Sequence, residues 1–301
     1  MRLAIHGSPT WLGWAQAVLA NARKKYSLDI EIVSLPDALT ATSLVELKQF
    51  SRIVLLIENP ALMVARRGMH CDFNSALLAA VTAAVSAYEL TYHYDAVPID
   101  VDGSEDDRTC RLLELADSPL DVADVKVPIE VVPLNGLSEG DTLNDRTRTI
   151  ERCLKPLLEG IWQRNSSLSI CWPRDVLFAG DSPGTPLPAV FDIAGPARVL
   201  TYGPYFPLPI GQWHVELLMG FSQRVGVMPF LVEIVADGIF HRAYFEAKRA
   251  GIFVLPFDLS FDRSGSPVEI RLVSQEPALE GEVSLIEATF TMRLLPTSNH
   301  S

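Results

Sequence analysis

The residues that could do chemistry fall in three places along the chain. The first is the turn His6-Gly7-Ser8-Pro9-Thr10, between an apolar strand at Leu3 to Ile5 and a stretch, Trp11 to Lys25, that reads as a helix. Backbone amides at a helix N-terminus attract anions, commonly a phosphate. Gly7, Ser8 and Thr10 are the candidate contacts, with Thr10 the expected N-cap. A phosphate loop also wants several glycines and a cation, and this turn has one glycine and neither Lys nor Arg. The second place is Ile57-Glu58-Asn59-Pro60, followed about two turns later by Arg66 and Arg67. A guanidinium pairs well with phosphate, so this pair could supply the missing charge. The alternative is an arginine pair on the surface. His6 and His70 are the imidazoles near these groups, and each reads more simply as structural or exposed than as a general base.

The third place is LTYGPYFPLPIGQWHVELLMGFS, Leu200 to Ser222. Prolines stiffen its turns and gather Tyr202, Tyr205, Phe206 and Trp213. Aromatics on rigid turns can offer flat apolar faces to a sugar ring, while Arg198, His214, Glu216 and Arg271 could bond its hydroxyls. The alternative is that the aromatics fill a core. From Trp213 onward side chains alternate, and Trp213, Val215, Leu217, Met219 and Phe221 point one way, inward.

These groups need scaffolds of different kinds. Strands at Leu3 to Ile5, Ile30 to Leu35, Arg52 to Ile57 and Ala96 to Val101 alternate with helical stretches at Trp11 to Lys25, Ser43 to Phe50, Asn74 to Tyr88 and Arg108 to Ala116. That pattern argues for an open, mostly parallel sheet covered by helices. RIVLLI, Arg52 to Ile57, has the unbroken apolar run of a strand buried on both faces. Val125 to Val132 reads as a strand, and Asp141 to Trp162 as a helix that Pro156 should kink or restart. From Ala189 the chain changes to strands: Val190 to Ile193, Arg198 to Tyr202, Trp213 to Phe221, Pro229 to Ala236, Phe240 to Ala247, Ile252 to Phe261, Val268 to Ser274 and Glu282 to Leu295. Such a run is an antiparallel sandwich or jelly roll. The division expected is an α/β domain over 1–165, a proline-rich linker over 166–188 and an all-β sandwich over 189–301.

Composition narrows the function. The net charge is -12, without a basic patch, which sets nucleic acid aside. The start MRLAIHGSPT lacks a secretory apolar run, and Ala76 to Ala87 is too short to cross a bilayer, so a cytoplasmic location without a membrane span is expected. Cys71, Cys110, Cys153 and Cys171 are widely spaced and read as free thiols, with no metal cluster expected. Asp100, Asp102 and Glu105 around Gly103 fit a solvated acidic loop better than a calcium loop.

A family resemblance adds to this. The opening strand with Gly-Ser-Pro-Thr-Trp-Leu resembles the sulfotransferase phosphate loop with its middle Arg/Lys-Ser-Gly stretch deleted. RIVLLIENPALMVARRG is similar to the second sulfotransferase motif, an apolar strand followed by Arg-Asp/Asn-Pro and a helix. Glu58 stands where that family has arginine, and the loop cation has no counterpart. The resemblance implies a sulfotransferase-like (P-loop-type) domain with an eroded donor site, so that no cofactor is expected and a PAPS-type nucleotide is disfavoured. GPYxPLPxGxW in turn resembles a carbohydrate-binding-like sandwich of bacterial proteins of cell-surface polysaccharide assembly. Together they imply recognition of bacterial envelope or capsular polysaccharide by the sandwich. The alternatives are an active sulfo- or glycosyl-transferase and a glycan-binding spike of a larger particle, as a homo-oligomer or assembly, envelope- or particle-associated.

Overall fold

A computed structural model describes residues 1–39, 46–68, 71–119, 122, 123, 125, 127, 141–164, 167–263 and 265–293. His70 and most of the expected strand Val125 to Val132 lie outside these residues. The chain divides into two compact units, Met1–Asn144 with Leu157–Asn165, and Asp145–Pro156 with Ser166–Ser301.

The first unit is α/β. Its strands β1 (Arg2–His6), β2 (Glu31–Ser34), β3 (Arg52–Ile57) and β4 (Val97–Asp100) form one parallel sheet in the order β2-β1-β3-β4. Helix α1 (Pro9–Tyr26) joins β1 to β2; α2 (Pro60–Gly68) and α3 (Phe73–Tyr94) join β3 to β4; α4 (Glu105–Leu115) follows. Strand order reverses between β1 and β3, since the chain leaves β1 towards β2 and returns on β1's other side. The carboxyl ends of β1 and β3 therefore flank a topological switch point, where open α/β sheets form crevices. Leu3, Ile5, Val54, Leu56 and Ile99 of the sheet pack with Trp14, Val18 and Leu19 of α1 and Leu112 and Leu113 of α4.

Local chemistry sets the helix ends. Ser8 rather than Thr10 is the N-cap residue of α1, with Pro9 in the first turn, where a missing N–H costs nothing. Arg23, Lys24 and Lys25 complement the C-terminal dipole. Asp72 caps α3 by accepting from the Ser75 amide at 3.0 Å, and α3 runs to Tyr94, past the expected end at Tyr88. By length and composition α3 could cross a membrane, but most of it is buried within the protein. The acidic loop does structural work: Asp100 accepts from the Asp102 amide, and Ser104 caps α4. Of the helix expected over Ser43 to Phe50, residues 43–45 lie outside the described residues; Glu46 is helical and Leu47–Gln49 form a 3-10 turn.

The second unit is an antiparallel sandwich. Its strands are β5 (Ser169–Pro173), β6 (Phe178–Ala179), β7 (Phe191–Asp192), β8 (Val199–Tyr202), β9 (Pro204–Pro207), β10 (Gly211–Phe221), β11 (Met228–Val235), β12 (Ile239–Ala247), β13 (Gly251–Phe261), β14 (Pro267–Ser274) and β15 (Glu282–Arg293). One sheet has the order β13-β10-β15-β5, with β7 beside β15; the other has β12-β11-β14-β8-β6, with β9 beside β14. The stretch 166–188, expected as a linker, thus supplies an edge strand to each sheet. Trp172, Trp213, Phe206, Phe230 and Phe290 are fully buried between the sheets. Helix α5 (Asp141–Gln163) runs through Pro156 without ending there, and two of the divisions between the units fall within it, after Asn144 and after Pro156.

Candidate functional site

Alternation on the second sheet decides which side chains face outward. Phe230, Val232 and Ile234 of β11 and Val268, Ile270 and Leu272 of β14 point into the core. Leu231 and Glu233 of β11, and Glu269, Arg271 and Val273 of β14, therefore lie on the outer face. The register sets Arg271 opposite Glu233, and Glu233 opposite Arg242 of β12. A charged row crosses three strands. Arg271 Nη2 donates to Glu269 Oε2 at 2.7 Å, and Arg242 Nε donates to Glu233 Oε1 at 3.0 Å.

Aromatics extend this row. Gly203 has φ +103, and a side chain there would meet the Phe178 ring at 2.9 Å, so the turn requires glycine. Tyr205 follows at φ 70, a left-handed conformation costly for a bulky residue. That conformation turns its ring outward, where its hydroxyl donates to Glu269 Oε1 at 3.2 Å. Burial, with the Glu269 charge, pushes the Tyr205 phenol up to about 12, so it stays a donor at neutral pH. Tyr202 stands 6.3 Å from Tyr205, and Phe178 stands 5.4 Å from Tyr202. The Tyr202 oxygen accepts from the Gly184 amide at 2.8 Å, which fixes that ring. Glu269 is only 4% exposed, yet both its oxygens are occupied, so its burial is compensated.

Of the residues expected to hold a glycan, Tyr202, Tyr205 and Arg271 come together here. Phe206 and Trp213 do not. Both are in the core, and Trp213 Nε1 donates to the Pro209 carbonyl at 3.0 Å. Arg198 is a strut between loops. It grips Asp181 at 2.7 and 3.0 Å and donates to the carbonyls of Ile193, Pro196 and Asp192. His214 lies on the outer face of the other sheet, bonded to Asp258 at 2.8 Å, and Arg293 donates to the second oxygen of that carboxylate. The sequence reading missed Glu233, Glu269, Arg242 and Phe178. A visible signal existed for two of them: Glu233 and Glu269 are charges inside otherwise apolar strands, FLVEIV and PVEIRLV.

At the switch point of the first unit the arginines prove not to be surface residues. Arg66 and Arg67 are 13% and 11% exposed, and both face Glu58, itself 3% exposed, at 3.1 and 4.0 Å. Trp11 Nε1 also donates to Glu58, at 3.1 Å, and Arg66 lies over the Trp11 ring. Arg67 additionally reaches Asp37 at 3.2 Å. Burial pushes the Glu58 carboxyl up, against the pull of Arg66. Gly7 is needed because a side chain there would meet Leu56 Cβ at 2.8 Å. Ser8 is buried, and Thr10 is exposed on the first turn of α1. His6 is buried, its Nε2 donating to the Ala83 carbonyl, and burial pushes its pKa down, so it is a neutral structural imidazole. Among the described residues no group of His, Cys, Asp or Glu is arranged to hold a metal ion.

No protein-family model and no curated protein matches the chain. Solved structures do. A family 16 carbohydrate-binding module aligns at 12% identity over 33% of this chain and 74% of its own, with TM-score 0.25. A family two carbohydrate esterase from Cellvibrio japonicus aligns at 12% identity over 44% of this chain and 37% of its own, with TM-score 0.27. A chain of the Glycosylation Associate Protein (Gap123) complex from Streptococcus agalactiae aligns at 10% identity over 97% of this chain and 50% of its own, with TM-score 0.27. At such scores the function rests on the geometry of the chain itself.

Proposed function

We propose that the second unit binds a saccharide on the outer face of the β12-β11-β14-β8-β6 sheet, and that bacterial envelope or capsular polysaccharide is the class it serves. The observation that carries this reading is Tyr205. Its backbone is held in an unfavourable conformation, its ring stands beside Tyr202, and its hydroxyl is tied to a buried carboxylate that also aims Arg271. Strain of this kind persists where the surroundings over-determine it, often at ligand sites. Aromatic surface next to fixed hydrogen-bonding groups is what a sugar requires, since its ring has an apolar face and a polar rim.

In this reading the first unit is an eroded transferase-like domain. Arg66 and Arg67, the cations a nucleotide donor would need, are engaged by Glu58 instead. Binding is tested with the intact chain against an array of bacterial polysaccharides. The Tyr205→Ala variant should bind about tenfold more weakly or worse, as expected for loss of a central aromatic contact worth ~2 kcal/mol. Absence of binding by the wild type to every polysaccharide removes the proposal. Calorimetry with adenosine 3',5'-bisphosphate addresses the first unit: measurable binding would restore the transferase reading.

A further inference from the structure

Resting on the saccharide-binding reading, we infer that the ligand of this face is acidic, bearing carboxylate or sulfate groups, and that Arg271 and Arg242 are the residues that select it. The charged row is layered. The two carboxylates of the charged row are buried, their side chains 6% and 11% exposed for Glu269 and Glu233, whereas the arginine side chains they hold are 34% and 49% exposed. Glu269 spends one oxygen on Tyr205 and the other on Arg271. Acceptors thus lie beneath and donors above.

Each arginine uses one nitrogen on its carboxylate; the remaining N–H groups have no partner among the described residues. A guanidinium can only donate, so it is best satisfied by a ligand atom that only accepts. A neutral hydroxyl does this weakly. An ionised carboxylate or sulfate does it with roughly twice the strength, and can do so through two parallel bonds. Arg271 and Arg242 sit two strands apart on the same face, about 10 Å between backbones at about 4.8 Å per strand. That spacing lets successive units of a polymer engage both. The buried carboxylates do for these arginines what a scaffold does for a clamp: they hold the forks in place before the ligand arrives, reducing the ordering cost on binding. The chain's net charge of -12 opposes an anion at long range. At physiological salt that repulsion is largely screened beyond about 8 Å, so the local contacts decide.

The test uses the full chain and two matched pairs of polymers: polygalacturonate with its carboxyl-reduced neutral form, and dextran sulfate with dextran. Affinity for the acidic member of at least one pair should exceed that for its neutral partner about tenfold or more, as one charge-assisted bond to a fixed donor implies. The pair that shows the preference identifies carboxylate or sulfate. Arg242→Gln and Arg271→Gln, each measured as folded protein, should abolish most of that preference, and each should cost some stability because it takes the ion-pair partner from a buried carboxylate. Equal binding of acidic and neutral members, or a preference unchanged in both variants, overturns the inference while leaving saccharide binding intact. Absence of binding to all four polymers, and to every polysaccharide of the array, overturns both.

Discussion

Glu58 and Glu269 are both buried carboxylates beside arginines, and they use them in opposite ways. Glu58 draws Arg66 and Arg67 inward, so that all three are nearly lost to solvent. Glu269 stays below while Arg271 reaches outward. Sequence shows an arginine near a carboxylate in each case, but not which one is on top. The pKa of Glu58 is raised by its burial, which gives a sign that can be tested. A carboxylate with a raised folded-state pKa binds more protons folded than unfolded, so its contribution to stability falls as pH rises above the ordinary glutamate range. Glu58→Gln removes that dependence. Its stability relative to wild type, from urea melts between pH 4 and pH 7, should therefore rise with pH; a flat or falling difference contradicts the burial argument. Trp213 supplies a second test at this scale. Period-two alternation marks it as inward, and it is wholly buried. Trp213→Ala should cost about 3–5 kcal/mol in chemical denaturation. Its folded fraction should still bind polysaccharide, because the outer face of the opposite sheet is untouched; loss of binding by fully folded Trp213→Ala protein would return Trp213 to the site.

Among the elements, the long ones were legible because one period dominates each. The alternation in β10, β11, β13, β14 and β15 places these strands within a residue or two of their observed bounds. The missed strands, β5, β6 and β9, are short and lie among prolines, and their partners come from far along the chain: β15 for β5, β8 for β6, β14 for β9. Only tertiary pairing makes strands of them, and their peripheral places in the sheets tolerate proline. The consequence for the site was direct, since β9 is the element that carries Tyr205 outward and Phe206 inward. Strand β9 makes a prediction of its own. Tyr205 sits at φ 70, where glycine is unstrained and alanine is not. Tyr205→Gly and Tyr205→Ala remove the same ring and the same bond to Glu269. The glycine variant should nonetheless be the more stable by about 1 kcal/mol, measured by chemical denaturation. Equal stability, or a more stable alanine variant, would show that the backbone there is not held left-handed.

At the scale of the whole molecule, the α/β-then-β division was readable because periodicity changes near Ala189, but the units interleave in a way that no local pattern reveals. Helix α5 starts and ends in the first unit and lends its middle to the second: Asp145–Pro156 belongs with the sandwich, Asp141–Asn144 and Leu157–Gln163 with the parallel sheet. A single apolar stripe, Ile150, Cys153, Leu154, Leu157, Leu158 and Ile161, is buried along its length, so sequence shows one amphipathic helix and hides its division. The sandwich side of the helix makes specific contacts. Arg152 pairs with Glu287 of β15 and reaches the Cys171 sulfur at 2.8 Å, while the Cys153 thiol faces the Cys171 carbonyl at 3.5 Å. A sandwich cut at residue 166 loses these contacts and the burial of Ile150, Cys153 and Leu154; one cut at residue 145 keeps them. The 145–301 fragment should therefore melt in one sharp urea transition and retain whatever saccharide binding the full chain shows. The 166–301 fragment should be less stable by several kcal/mol, each buried apolar side chain contributing about 1.5–3 kcal/mol. If the two fragments melt at the same urea concentration, the first half of α5 is not part of the sandwich's fold, and residue 166 is the true start of the sandwich.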